Sequence, residues 1–553
     1  MLIARRAVPR SLAVTLLLIP VPGRAQLPDS TRTRVDAVFS QWDRTDSPGC
    51  SLGISQDGRP VYSRGYGMSD LQHALAITPG SIFHVASISK EFAAYAVALL
   101  AADGRLTLDD DVRRYVPEVP DYGPRITIRN LIHHTSGLRD QWQLLAYAGW
   151  REDDVITEDD VLGIVARQRG VNFKPGDEWI YSNTGYTLLA VIVKRVTGQS
   201  LRDFAQARIF APLGMRDTHF HDDHTMIVAG RTSAYQPRDG GGWSISIPVF
   251  DTYGATSLFT TSGDLLKWMA NLDHPIVGTS ALVAAAQTSA VLNDGTSTGY
   301  GYGLTVNRYR GLQAVGHGGA DAGYRAHVER YPERGIAAAV LCNASTAVPS
   351  VLLRRVTDVL LGAAAPRQEA SIDTVMRPVA VAARQRWVGI YRDTLSQQVM
   401  RIRLTNDTLR LSDGRMLATT SDTSARIGTG ASALVLRSAG GVVTAVQQIP
   451  RSTRELIFRR EAEFTPDRAA LAAFAGTYES DELDVRYTLA VTDSGLVLRH
   501  RKLGELVMVP TWRDAFTVNY NFFSQFTRDR SGKVTGFTIN DGRVRGVRFD
   551  RVK

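Results

Sequence analysis

The chain has 553 residues, more than one hydrophobic core can organise, so two or three domains are expected. Its net charge of +9 is mild and no basic cluster is interleaved with aromatic residues, which argues against a nucleic-acid partner. Past the N-terminus no apolar run reaches the length of a membrane-spanning helix, and the two cysteines, Cys50 and Cys342, have no zinc or haem spacing.

Residues 1–25 read as a secretory signal. Arg5, Arg6 and Arg10 form a basic start, Leu12 to Ile19 a short apolar run, and Gly23-Arg24-Ala25 a small-residue cleavage site. Its removal takes four arginines and no acid, leaving a charge of about +5. The expected address is therefore outside the cytoplasm, periplasmic or secreted.

Residues 26–362 mix helix and strand signals. Cys50 to Ser55, a turn at Gln56-Asp57-Gly58, and Pro60 to Ser63 predict a hairpin. Ser87 opens an apolar helical run through Phe92, Ala96, Leu99 and Leu100, closed by Gly104. Leu312 to Val315, Tyr324 to Tyr331 and Ile336 to Leu341 predict three late strands. Helices lying between two groups of strands imply an α+β domain whose antiparallel sheet gathers both ends of the segment.

Residues 363–386, rich in Ala, Pro and Arg, read as a linker. Beyond it the pattern becomes all-β, and it repeats. Trp387-Val-Gly389-Ile-Tyr391 matches Phe474-Ala-Gly476-Thr-Tyr478, and Leu404 to Leu411 matches Val491 to Leu498. Residues 387–463 and 464–553 therefore form two copies of one unit. Two small antiparallel barrels, or two halves of a larger one, both fit.

The chemistry begins with a lysine. Of 64 basic residues, fifty-seven are arginine and seven lysine, and Lys90 alone of the seven has a serine three positions earlier, in Ser87-Ile88-Ser89-Lys90. Arginine can replace lysine in most roles, but it cannot lose its proton. On a helix the spacing puts both side chains on one face, with Ser87 at the N-terminus, where backbone amides favour developing negative charge. A neutral Lys90 can take the serine's proton if its pKa falls by about three units, for which burial beside a second basic group suffices. The alternative is a solvated lysine on a helix face.

Tyr181-Ser182-Asn183 offers a tyrosine to share and return that proton and an amide to hold a substrate carbonyl; a core tyrosine beside a turn asparagine is the structural alternative. His317-Gly318-Gly319 lies on the first late strand. Its glycines allow a substrate backbone to approach the strand edge, and the Ala320 N–H could join that of Ser87 as an oxyanion hole. A glycine-rich strand end with a surface histidine is the alternative here.

Ser-x-x-Lys, Tyr-x-Asn and His-x-Gly in this order resemble the penicillin-recognising serine hydrolases, which include serine β-lactamases, D-alanyl-D-alanine carboxypeptidases, D-aminopeptidases and related esterases. Leu131 to Leu138, Ala211 to Thr218 and Thr260 to Leu266 also look like segments of that family. The resemblance implies a β-lactamase-like fold, Ser87 as nucleophile, and Lys90 and Tyr181 as the proton-handling pair. It implies Asn183, His317, Gly318, Gly319 and Ala320 as substrate-binding elements, with no cofactor. Many relatives carry a lysine where His317 stands. The D-aminopeptidase-like branch has histidine there and also carries C-terminal, lipocalin-like β-barrels, one loop of which reaches towards the cleft. The barrels here either shape specificity or serve as a stabilising appendage. The family's fold also makes the strands of Cys50 and Cys342 antiparallel neighbours. A disulfide is open, but paired strands often strain one, and two separate buried thiols are the expectation.

His219-Phe-His221-Asp-Asp223-His224 matches a zinc-hydrolase motif. It follows Pro212-Leu-Gly-Met rather than a buried strand, so a polar surface loop and no metal are expected. The sequence thus implies an exported serine hydrolase acting through an acyl-enzyme on a small-molecule or peptide substrate, such as a D-amino-acid peptide or amide. Esterase or β-lactamase activity, or a catalytically weak protein that binds cell-wall or lipid ligands, are the alternatives. The oligomeric state is not legible.

Overall fold

The structure, a computed structural model, describes residues 26–151, 153–362, 379–428, 432–439, 442–448, 455–518 and 522–552. The signal segment and residues 363–378 of the linker lie outside the described residues. The helices that matter here are α1 (Asp29–Val38), α2 (Ser89–Ala102), α3 (Gln141–Tyr147), α4 (Asn183–Thr197), α5 (Ser262–Asn271) and α6 (Pro349–Leu361).

Strand-forming segments from both ends of the first 362 residues pair into one antiparallel sheet. Its strands are β1 (Cys50–Gln56), β2 (Arg59–Tyr66), β3 (Thr305–Tyr309), β4 (Leu312–Asp321), β5 (Tyr324–Tyr331) and β6 (Ile336–Cys342), in the order β3-β4-β5-β6-β1-β2. All of β6 is buried, so Ile336-Ala-Ala-Ala-Val-Leu-Cys342 reads as a continuous apolar run rather than an alternating one. Helices α1 and α6 cover one face and α5 the other. Phe92 to Leu100 of α2 are all buried, as expected of a stretch that is apolar all round, and Ser89, Lys90 and Glu91 before them are buried too.

Cys50 and Cys342 are disulfide-bonded, which corrects the expectation of two separate thiols. They are register partners at the start of β1 and the end of β6, with Cα atoms 4.0 Å apart. Directly opposed residues of an antiparallel pair share a face, and that alignment decides the pairing.

Each C-terminal repeat closes into its own eight-stranded barrel, so two small barrels form rather than two halves of one. Both copies use the same closure. Tyr391 Oη donates to the Trp387 carbonyl at 3.0 Å, and Tyr478 Oη to the Phe474 carbonyl at 2.8 Å. Gly389 and Gly476 are glycine for one reason: their φ angles, +155° and +149°, are ones that L side chains rarely adopt. Within residues 363–386, Val381–Gln385 forms a short helix leading into the first barrel.

The second barrel is fused to the catalytic region. Its interior, including Tyr478, Phe526 and Phe549, belongs to the same hydrophobic core as Phe92 and Leu189, whereas the first barrel has a core of its own around Trp387 and Tyr391. Among the described residues no helix is long and apolar enough to cross a membrane.

Candidate functional site

Between Ser81 and Leu100 every residue is buried except Ser87, which is partly exposed. A short 3-10 turn, Ala86–Ile88, precedes α2 and carries Ser87. Ala86 holds φ +47°, a conformation L-residues rarely adopt, so the turn is sharp. Ser89 Oγ fixes it by donating to the Ala86 carbonyl at 2.5 Å and accepting from Leu258 N at 2.9 Å.

Lys90 lies beneath, completely buried. Its Nζ is 3.0 Å from Ser87 Oγ, 2.8 Å from Asn183 Oδ1 and 2.6 Å from the Ala255 carbonyl. Burial brings the amine down to about 7; Asp321 and Asp140 oppose the shift and Arg543 adds to it. A neutral amine has two N–H bonds and one lone pair. Asn183 Oδ1 and Ala255 O can only accept, so they take both N–H bonds. The lone pair is then left facing the Ser87 hydroxyl.

The orientation of Asn183 is fixed from behind. Asp140, a carboxylate that accepts only, takes the Asn183 backbone N–H at 2.7 Å and the side-chain Nδ2 at 2.8 Å, which turns Oδ1 towards Lys90.

Tyr181 packs against Lys90 by its ring: Nζ stands 4.8 Å from the ring centroid. Burial raises the phenol's pKa well above its ordinary value, while the nearby Ser87 hydroxyl lowers it. The segment His133-His-Thr-Ser-Gly137 holds Tyr181 in place. Its His134 lies 4.2 Å from the Tyr181 ring, accepts the Ser182 N–H at Nδ1 (3.1 Å), and receives Ile180 N at its carbonyl (3.1 Å).

His317 is buried, not a surface histidine. Its Nε2 is 2.9 Å from Tyr300 Oη and its Nδ1 2.5 Å from the Gly318 carbonyl. With Nδ1 as donor, Nε2 accepts from the tyrosine. Burial and repulsion by Lys90 push its pKa to about 3, so it brings no charge to the cleft at neutral pH. The reason for Gly319 also differs from the expected one. A Cβ there would meet the Val85 carbonyl at 2.1 Å, so this glycine admits the serine-bearing turn against β4. Pairing of β3 with β4 ends at Gly316, and residues 317–321 line the cleft beyond it.

The cleft, about 670 Å³, brings together Ser87, Tyr181, Asn183, His317, Gly318, Gly319 and Ala320. Lys90 forms its floor through Ser87 and Asn183. Sequence reasoning missed Trp142, Thr256, Asp321 and Arg543, which also line it, and Asp140 behind it. Asp321 directly follows Ala320 on β4. Its Oδ2 faces Thr256 Oγ1 and, at 3.0 Å, His84 Nε2. An adjoining pocket of about 310 Å³ is walled by Trp142, Leu145, Trp150 and Phe250, with Asp321 at its edge.

The zinc-like segment is a surface loop, as expected, only from Asp222 onward; its start is not. His219–Phe220 is a short strand pairing with Leu258–Phe259; that pairing stacks His219 on Phe259 and buries His221 beside it. Asp223, His224 and Asp251 do approach one another, their donor atoms within 4.8 Å. They are turned on partners within the protein: His224 Nδ1 is 2.9 Å from both oxygens of Asp251, and Asp223 Oδ1 accepts from Thr225 N and Oγ1.

A half-exposed serine over a buried lysine, on a sheet covered by helices on both faces, defines a serine hydrolase. A family model described as Beta-lactamase matches residues 35–362, and the chain belongs to that family. Among curated proteins it is similar to a D-aminopeptidase of Cereibacter sphaeroides, 27% identical over 453 residues, covering 81% of this chain and 82% of that protein. It is also similar to a D-aminopeptidase of Brucella anthropi, 24% identical over 528 residues, covering 92% and 96%. Among solved structures, the octameric penicillin-binding protein homologue from Pyrococcus abyssi shares the fold at TM-score 0.57 and 21% identity, over 78% of this chain and 99% of that one. The D-amino acid amidase from Ochrobactrum anthropi SV3 does so at 0.52 and 24%, over 60% and 99%.

Proposed function

We propose that this protein is an exported hydrolase of D-aminopeptidase type, which cleaves small peptides or amides of D-amino acids through an acyl-enzyme on Ser87. In this reading Lys90, uncharged, removes the Ser87 proton as the hydroxyl attacks the carbonyl. The amides of Ser87 and Ala320 hold the oxyanion. Tyr181, which burial keeps protonated, gives its phenol proton to the leaving amine and takes in exchange the proton that Lys90 removed from Ser87, so both groups regain their starting forms, while Asn183 and the 317–320 strand edge align the substrate. Water then attacks the acyl carbonyl and releases Ser87. The observation that carries the reading is the partition of Lys90's bonds: two acceptors consume its N–H groups, and its lone pair is left on Ser87 Oγ. Preference for D-aminoacyl substrates rests on the similarity to D-aminopeptidases over most of both chains. Export rests on the basic-apolar-small pattern of residues 1–25 and on the Cys50–Cys342 bond, which persists in an oxidising compartment.

The test is covalent labelling with a fluorophosphonate beside turnover of D-aminoacyl p-nitroanilides and their L-counterparts. Label on the Ser87 peptide, its loss in a folded Ser87→Ala variant, and faster turnover of the D-series are expected. Label on another residue defeats the nucleophile assignment; faster turnover of the L-series defeats the substrate class.

A further inference from the structure

Three arginines of the second barrel's contact with the catalytic region can be compared. Arg139 meets Glu482, with Nη1 at 2.5 Å from Oε2, and Arg545 meets Glu178 at 3.1 Å. Arg543 is different: among the described residues its guanidinium makes no hydrogen bond and no ion pair. It stands 4.9 Å from the centroid of the Tyr181 ring and lines the same cleft as Ser87.

Its backbone, by contrast, is held on every side. Asp541 Oδ1 accepts Arg543 N at 2.5 Å and Val544 N at 2.8 Å, and Asp541 in turn accepts from Tyr147 Oη. The Arg543 carbonyl accepts from Asn172 Nδ2 at 2.8 Å and Asp140 N at 3.3 Å. The loop is rigid where it crosses into the cleft, and what it delivers is a cation with its hydrogen-bond donors unspent. Placing an arginine close enough to repel the buried Lys90 amine is costly unless an anion meets it.

The acids that act on the Lys90 amine, Asp140 and Asp321, are turned on other partners. Asp140 takes both N–H groups of Asn183, and Asp321 Oδ2 takes Thr256 and His84. His317 and His134 are neutral, and Lys90 is half-charged at most near pH 7. Among the described residues no carboxylate is paired with the Arg543 guanidinium, which stands on the Tyr181 ring, so the protein itself does not supply its two-point acceptor. We infer that Arg543 is the anchor for a carboxylate of the substrate, bound as a planar two-point pair. Tyr181 is the group that protonates the departing amine, and Arg543 lies on its ring, so the carboxylate belongs to the leaving group. The preferred substrate is then a short D-aminoacyl peptide with a free C-terminal carboxylate, in preference to a neutral amide. The inference rests on the peptidase reading above and narrows it.

The experiment uses the full chain and its Arg543→Gln variant with matched pairs: D-Phe-Gly against D-Phe-Gly amide, and a 3-carboxyphenyl ester against the phenyl ester of the same acid. Removing Arg543 also lifts one repulsion from Lys90, which slows every substrate alike, so the ratio within each pair is the readout. Wild type is expected to favour the free acid of each pair, and Arg543→Gln to lower kcat/KM for the acids by about tenfold more than for their neutral partners. Arg543→Lys should restore part of the ratio. Equal losses across both pairs, or a wild-type preference for the neutral partners, overturn the anchor. No turnover of either dipeptide alongside an intact ester ratio defeats the peptidase reading and leaves the anchor standing.

Discussion

The state of Lys90 makes the most exposed prediction. The amine ordinarily titrates at 10.5 and is brought to about 7 here, chiefly by burial. That change corresponds to roughly 5 kcal/mol held against the protonated form. Only the unprotonated amine can act as the base. About a tenth of the enzyme is competent at pH 6, half at pH 7 and about nine-tenths at pH 8, so acylation should rise with unit slope below 7 and level above it. His317, His133, His134 and Tyr181 do not mimic this limb. Burial puts His317 at about 3 and His133 at about 4, holds His134 lower than its usual range, and keeps Tyr181 protonated. The assay is kcat/KM on a neutral ester, whose own ionisation does not intervene, from pH 5 to 9. Lys90→Arg keeps a charge but cannot lose its proton, and should fall by about a hundredfold to ten-thousandfold, close to Lys90→Ala. A flat profile, a midpoint above 9, or an arginine variant with more than about a tenth of wild-type activity would refute the base and leave Lys90 as an electrostatic support.

Chelation with EDTA is expected to leave turnover unchanged, because Asp223, His224 and Asp251 bond to partners within the protein; a loss restored by added zinc would reverse that. Cys50→Ala with Cys342→Ala should lower stability by up to about 5 kcal/mol, since the bond spans 292 residues; unchanged urea midpoints would mean the crosslink is incidental. Glu91, buried under Trp268 Nε1, has its pKa raised to about 8 from 4.5. Its raised folded-state value means stability is full below about 4.5 and drains as pH climbs through 8, on the order of 5 kcal/mol, and Glu91→Gln should flatten that decline in melts between pH 5 and 8. Parallel curves for the two proteins would place the titration elsewhere.

The nearest-neighbour chemistry was legible because it is written in short spacings. Ser87 and Lys90 are one helical turn apart, and Tyr181 and Asn183 flank a helix start, so a local rule places them. Asp140 was not legible, although it follows the Leu131–Leu138 segment closely. Nothing in Arg139-Asp140 announces that the carboxylate will turn back onto Asn183; that depends on how α3 and α4 pack. Arg543 is one of fifty-seven arginines, and only the docking of the barrel singles it out. The cysteines failed differently. Their neighbouring strands were identified, but a general argument about strain was weighed above register, and register put Cys50 directly opposite Cys342. The His219 segment misled in a third way. A two-residue strand is too short to show a period, so its burial against Phe259 leaves no trace in the sequence.

The two barrels come from one repeated unit yet hold unlike positions. The first keeps a separate core and meets the second through Ile390, Trp512, Ala515 and Phe523. The second shares its core with the catalytic region and supplies part of the cleft. Its contribution cannot be a passive tether. Asp140 N, Asn172 Nδ2 and Tyr147 Oη all donate to the 541–543 loop, and Asp140 is the residue that orients Asn183 on Lys90. Without the loop, three donors in the wall would lose their acceptors, and the carboxylate behind Asn183 would lose an anchor on its own backbone. One short turn thus touches both halves of the reaction. In the proposed reaction its carbonyl, through Asp140 and Asn183, steadies the amine that would activate the serine, while its guanidinium stands on the Tyr181 ring, beside the proposed path of the leaving group.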